Sequence, residues 1–169
     1  ILASRPGLLE QVAAAYLPLL RRLDFDRLAA LPYAAMPIAT AISLLGGWPM
    51  IYPRKEPKAY GTKAAIEGEY AAGERAVIID DLITTGGSKV EGIERLSSAG
   101  LEVRDVVVLI DRQSGGRKTL AQKGIQLHAV LTLDDLLAHY REEQLVEEEK
   151  LNRVRQFLAR HSQGHGKGS

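Results

Sequence analysis

The sequence predicts an α/β fold in which a parallel five-stranded sheet is flanked by helices. Short apolar runs rich in β-branched residues alternate with amphipathic stretches, the pattern of strands connected by crossover helices. One run, 106–110, is apolar throughout, as a strand covered on both faces requires. Apolar residues make up 46% of the 169, enough for one sizeable core.

Ser4 and Pro6 open the first helix, with Leu8, Leu9, Val12, Ala13, Tyr16, Leu19, Leu20 and Leu23 on one face; Pro18 is expected to kink it or end it early. Residues 25–31 read as a strand. Pro37 opens a second helix through Ile38, Ala41, Ile42 and Leu45, and Gly46-Gly47 stops it. Residues 49–52 form a second strand. From Arg54 to Glu74 no period survives, which predicts a long loop or loose hairpin, a length usually tied to function. A third strand, 76–79, runs into Asp80-Asp81. The next helix carries Val90, Ile93 and Leu96 and closes at Gly100; strands at 106–110 and 126–130 complete the sheet. Thr132 and Asp135 form a capping box for a helix ending near Gln144. A last helix, 146–160, turns Leu151, Val154, Phe157 and Leu158 inward. The domain is therefore 1–160, with 161–169 a flexible polar tail; His165 there reads as tail and not as a metal ligand.

Composition removes several function classes. Twenty-two Lys+Arg against 21 Asp+Glu leave a net charge of +1, so no global field favours nucleic acid. The absence of cysteine excludes disulfides, thiolate metal sites and a catalytic thiol. No apolar run approaches the ~18 residues of a membrane span, and Arg5-Pro6 break up any leader-like N-terminus, so a cytoplasmic protein is expected.

The chemistry concentrates in Val77-Ile78-Ile79-Asp80-Asp81-Leu82-Ile83-Thr84-Thr85-Gly86-Gly87-Ser88. An apolar strand ends in two carboxylates, and a Thr/Gly/Ser loop then opens a helix. Such a loop offers N–H groups and hydroxyls to an anion at the positive end of a helix dipole. Gly86 and Gly87 allow close backbone approach. Two carboxylates beside a phosphate pocket would repel it unless they serve ribose hydroxyls or a hydrated Mg²⁺. Taken singly, Asp80 and Asp81 would merely end a strand and Thr84 merely cap a helix. Neither G-x-x-x-x-G-K-[ST] nor a strand-following G-x-G-x-x-G is present. A second cluster, Arg54-Lys55-Glu56-Pro57-Lys58-Ala59-Tyr60-Gly61-Thr62, puts three cations on the irregular segment, where they could neutralise a pyrophosphate leaving group.

The first segment resembles the phosphoribosyl-pyrophosphate signature of type I phosphoribosyltransferases. The second, continuing to Glu67-Gly68, resembles the catalytic loop of orotate phosphoribosyltransferases, especially the form fused to orotidine-phosphate decarboxylase in bifunctional UMP synthases. Ser4-Arg5-Pro6-Gly7-Leu8-Leu9, Pro32-Tyr33-Ala34-Ala35-Met36-Pro37 and Ile110-Asp111-Arg112-Gln113-Ser114-Gly115-Gly116 extend the likeness over nearly the whole chain. The resemblance implies transfer of ribosyl-5-phosphate from phosphoribosyl pyrophosphate to orotate. Thr84, Thr85, Gly86, Gly87 and Ser88 would hold the 5-phosphate, and Asp80 and Asp81 would line the ribose and steady charge at C1. Arg54, Lys55, Lys58 and Tyr60 would serve the pyrophosphate, with Lys58 the main catalytic cation. Arg112 and Thr84 would contact orotate. It further implies Mg²⁺ held by substrate and water with no direct protein ligand, and a homodimer whose loop serves the neighbouring subunit. A decarboxylase, fused or associated, is a further implied partner; a nucleic acid or a membrane is not. Tyr60 stands where many bacterial members carry His, and Ala34 where many place a Lys. The family carries an N-terminal hood ahead of the point matching Ile1, so an incomplete N-terminus is expected. The rival readings are a phosphoribosyltransferase for another base and a non-catalytic phosphoribosyl-pyrophosphate-binding regulator.

Overall fold

The structure, a computed structural model, describes residues 2–54 and 65–162. After a short turn of 3-10 helix (Leu2–Ser4), the elements run α1 (Pro6–Leu20), β1 (Arg27–Ala30), α2 (Ala35–Gly46), β2 (Met50–Pro53), β3 (Ile66–Glu67), β4 (Arg75–Ile83) and α3 (Gly87–Ser98). They continue with β5 (Glu102–Asp111), α4 (Gly116–Ala121), β6 (Gln126–Thr132), α5 (Leu133–Glu142) and α6 (Glu148–Ser162).

The sheet order is β3-β2-β1-β4-β5-β6. Every pairing is parallel except β2 with β3. The α/β class is as expected, but the strand count is six. The additional strand, β3, lies in the stretch read as a long loop or loose hairpin: Ile66 pairs antiparallel with Pro53 and is buried, which draws that segment onto the sheet edge. Two residues give too short a period to be seen in sequence.

Alternation along the strands divides the core into two layers. Val77 and Ile79 of β4 face α1 and α2 with Ala13, Tyr16, Leu20, Ile38 and Ile42. Ala76 and Ile78 face the opposite side with Ile93, Leu96, Val106, Val108 and Leu120. Burying each such Ile or Leu contributes roughly 1.5–3 kcal/mol. The chain moves from β1 to β2 in one direction and from β4 to β5 in the other. With right-handed crossovers, α2 and α3 must then lie on opposite faces.

Four local expectations are corrected. Helix α1 passes through Pro18; the proline falls in its last turn, and Tyr16 and Leu20, both fully buried, hold that turn in place. Strand β1 is shorter than 25–31, because Phe25 leaves the ladder to pack against the Trp48 ring at 5.4 Å between centroids. Leu8 and Leu45, expected inside, are exposed. Helix α6 begins at Glu148 and reaches Ser162, so two residues beyond the expected boundary at 160 are helical. It buries Leu151 but leaves Val154 exposed, and the Phe157 side chain and residues 163–169 lie outside the described set. The capping box is present: Asp135 N–H donates to Thr132 Oγ1 at 3.1 Å, and Thr132 N–H donates to Asp135 Oδ2 at 2.8 Å.

Glu74 precedes β4 and accepts two bonds from Arg27, from Nε at 2.8 Å and from Nη2 at 2.7 Å. The Arg27 fork, aided by the Ala71 N–H, lowers the Glu74 carboxyl to about 2. A depressed folded-state pKa contributes stability above the unfolded value, and that contribution disappears as pH falls through about 2. Glu74→Gln should therefore lower the unfolding midpoint at neutral pH. The difference from wild type should shrink between about pH 4.5 and pH 2, as followed by circular dichroism.

Candidate functional site

Strand β4 pairs with β1 only as far as Ile79, opposite Ala30, whereas its pairing with β5 continues to Ile83 opposite Asp111. From Asp80 onward, the β1 side of β4 is open. The acidic pair thus lies inside the strand, not after it, at the place where the sheet splits. This is the topological switch point of a doubly wound sheet, where crevices form outside the carboxyl ends of the strands. A cleft of about 340 Å³ opens there, lined by Leu31, Pro32, Pro53, Asp80, Ser88, Glu91, Gly92 and Arg95.

Asp80 and Asp81 differ in their surroundings. Asp80 is buried, with its Oδ2 in an ion pair with the Lys89 ammonium and its Oδ1 accepting the Asp81 N–H at 2.9 Å. Burial raises the Asp80 pKa, and the Lys89 hydrogen bond and charge oppose it. Asp81 is half-buried, and its Oδ1 accepts the Leu82 N–H at 2.8 Å. Lys89 is itself buried and also reaches Ser88 Oγ at 3.3 Å. Removing one member of such a pair leaves an uncompensated buried charge, at about 3–5 kcal/mol. Below the strand, the Tyr16 hydroxyl donates to the Asp80 carbonyl at 2.9 Å. Burial, then the charges of Asp80 and Asp81, push the Tyr16 phenol far above its ordinary range.

Residues 84–88 turn from β4 into α3. Gly86 takes the N-cap position at φ 92°, a left-handed conformation that favours glycine, and no side chain caps the helix. Thr84 is therefore not a cap. The first-turn N–H groups and the exposed Thr85 and Ser88 stand at the positive end of α3, as an anion site requires. The loop is braced from the next connection: Gly116 N–H donates to Thr84 O at 2.8 Å, and Arg112 N–H donates to Ile83 O at 3.0 Å. This sets Arg112, exposed and on the carboxyl side of β5, beside the loop.

Arg54 follows β2 at the same edge of the sheet. Its guanidinium pairs with Glu67, its N–H donates to Ala65 O at 2.9 Å, and its carbonyl accepts from Arg95 at 2.6 Å. Lys55, Lys58 and Tyr60 lie outside the described residues. Asp80, Asp81, Thr84 to Ser88, Arg54 and Arg112 thus share one end of the sheet.

No family model matches the chain. It is 40% identical to the uridine 5'-monophosphate synthase of Bos taurus over 92% of its length, covering 33% of that protein. It superposes on the Leishmania donovani UMP synthase structure with a TM-score of 0.87 at 48% identity, over 94% of this chain and 34% of that one. Against the orotate phosphoribosyltransferase of Thermococcus gammatolerans it is 39% identical, and the match takes in 78% of this chain and 71% of that protein. The chain belongs to the orotate phosphoribosyltransferase family. It spans about a third of the length of the longer relatives it matches.

Sequence reasoning missed Lys89, Tyr16 as a polar partner, and α4. Lys89 was legible only as a lone cation interrupting an apolar-periodic helix. Tyr16 reads equally as an apolar face residue, and six residues of α4 are too few to show a period.

Gly116 sets how close α4 comes to the loop. A Cβ there would lie 2.6 Å from Thr84 O and 2.6 Å from the Ile83 side chain. Gly116→Ala should therefore destabilise the fold by about 1–3 kcal/mol, read as a lowered midpoint in urea unfolding, whereas Gly124→Ala, with open space around it but φ 75°, reports backbone strain alone.

Proposed function

We propose that this chain transfers the ribosyl-5-phosphate group of phosphoribosyl pyrophosphate to orotate, giving orotidine 5'-monophosphate and pyrophosphate. The observation that carries the reading is the open edge of β4, where Asp80 and Asp81 lead into an uncapped helix N-terminus beside Arg112. Residues 1–160 act as one phosphoribosyltransferase domain.

Residues Thr84 to Ser88 hold the 5-phosphate through N–H groups and hydroxyls. Asp81, the less enclosed carboxylate, faces the ribose hydroxyls beside Asp80. The reaction passes through an oxocarbenium-like transition state, so positioning and charge stabilisation suffice and no covalent nucleophile is required. Arg112 forks onto the orotate carboxylate or carbonyl, and Thr84 borders the base. Lys55 and Lys58 supply cations to the departing pyrophosphate, and Tyr60 is assigned to the same group. Arg54 joins them by exchanging Glu67 for substrate.

Both Asp80 oxygens are engaged, by Lys89 and by the Asp81 N–H. A Mg²⁺ here would be held by substrate and water, where it would neutralise phosphate charge. No helix among the described residues is long and apolar enough to cross a membrane. The proposal extends to a cytoplasmic homodimer with shared sites, joined to or associated with a decarboxylase.

Purified chain should release pyrophosphate from phosphoribosyl pyrophosphate with orotate and not with hypoxanthine, adenine or uracil. Arg112→Ala should raise the KM for orotate and leave that for phosphoribosyl pyrophosphate unchanged, while Lys58→Ala should lower kcat far more than binding. Turnover of another base would assign the chain to that base, and binding without turnover would make it a regulator. Mixing Lys58→Ala with Asp81→Ala chains in the same assay should restore about a quarter of the activity if sites are shared, and none if they are not.

A further inference from the structure

Lys89 has no place in the reading above, yet it is the most deeply buried cation among the described residues. It sits in the first turn of α3 and turns inward, its Nζ on Asp80 Oδ2 and 3.3 Å from Ser88 Oγ. Its ammonium therefore joins the acidic end of β4 to the phosphate loop. A lysine in a helix's first turn works against the helix dipole and loses its hydration when buried. Nothing in helix formation calls for it there; the neighbouring carboxylate does.

The two carboxylates also pose an electrostatic problem. Together they would place two negative charges beside the site of a phosphate and a pyrophosphate. An internal cation on one of them removes half of that charge without using a group that must reach substrate. It also holds that carboxylate in one rotamer: Oδ2 to Lys89 and Oδ1 to the Asp81 N–H leave little freedom.

We infer that Lys89 is a positioning residue for phosphoribosyl-pyrophosphate binding, holding Asp80 oriented and ionised. The inference rests on the phosphoribosyltransferase reading and assigns one residue within it. Lys89 acts through Asp80 and touches no reacting atom. The other charged or titratable groups around Asp80 are Asp81 on β4, Tyr16 from α1, and Glu91 and Arg95 from α3, which line the same cleft. Lys89 is the one that meets the carboxylate itself.

The test is titration calorimetry of Mg²⁺–phosphoribosyl pyrophosphate into the full chain and its variants, a readout independent of the acceptor base. Lys89→Met should weaken binding about tenfold or more at neutral pH. The weakening should deepen as pH is lowered, because a buried Asp80 without its cation takes up a proton and no longer meets the ribose as a carboxylate. Wild type should show only the acid dependence that protonation of the substrate phosphates gives it. Lys89→Arg, which keeps the charge, should recover most of the affinity. Asp80→Asn combined with Lys89→Met should bind no more weakly than Asp80→Asn alone, because Lys89 acts through that carboxylate. Unchanged affinity and pH dependence in a folded Lys89→Met would overturn the role. So would a Lys89→Met loss that adds in full to that of Asp80→Asn. Should Lys89→Met not fold, the comparison of the double variant with Asp80→Asn decides. Failure of wild type to bind phosphoribosyl pyrophosphate would instead overturn the functional reading itself.

Discussion

The site depends on one mismatch in the hydrogen-bond ladder. Strand β4 is longer at its carboxyl end than β1, so it loses one neighbour at Ile79 and keeps the other to Ile83. Backbone left unpaired inside a sheet must find other partners. Here carboxylate oxygens accept the Asp81 and Leu82 N–H groups, while the Tyr16 hydroxyl takes up the Asp80 carbonyl. The opening is thus stabilised by the same acidic residues that give it its character. The diverging crossovers then keep α2 and α3 on opposite faces, so neither helix fills it.

Close packing around this opening is bought by small residues at specific contacts. A Cβ at Gly92 would lie 2.6 Å from the Leu31 side chain, so a larger residue there would force Leu31 to shift at the end of β1. Gly116 does the same for α4 and the Thr84 carbonyl. On the far side, Arg95 reaches the Arg54 carbonyl and ties the end of β2 to α3. The ends of β2, β4 and β5 are in this way fastened to one another around the cleft, which gives Arg54, the Asp80 to Ser88 segment and Arg112 a fixed relation in space.

Much of this was legible in the sequence, for identifiable reasons. Strands β4 and β5 announce themselves because burial on both faces demands unbroken apolar runs. The Asp80 to Ser88 segment is legible because carboxylates, hydroxyls and glycines seldom follow such a strand without a chemical reason. Thr132 and Asp135 mark the start of α5 through local hydrogen bonds alone. What escaped was nonlocal. The extension of β4 through Asp80 depends on β5 continuing beside it, and β3 exists because Pro53 and Tyr52 pair with Ile66 and Glu67, distant in the chain. Lys89 escaped because its partner, Asp80, lies on another element. Pro18 looked like a terminator because the buried Leu20 that holds the last turn is a tertiary effect.

In the proposed function the phosphate of the sugar donor is received by the loop that leaves β4. A crystal structure of this chain with phosphoribosyl pyrophosphate bound tests it most directly. The 5-phosphate should lie within hydrogen-bond reach of the N–H groups and hydroxyls of Thr84 to Ser88, with the ribose beside Asp80 and Asp81. A phosphate held instead in the cleft of about 440 Å³ between Arg117, Lys118 and Thr132, with the Thr84 to Ser88 loop untouched, would contradict it.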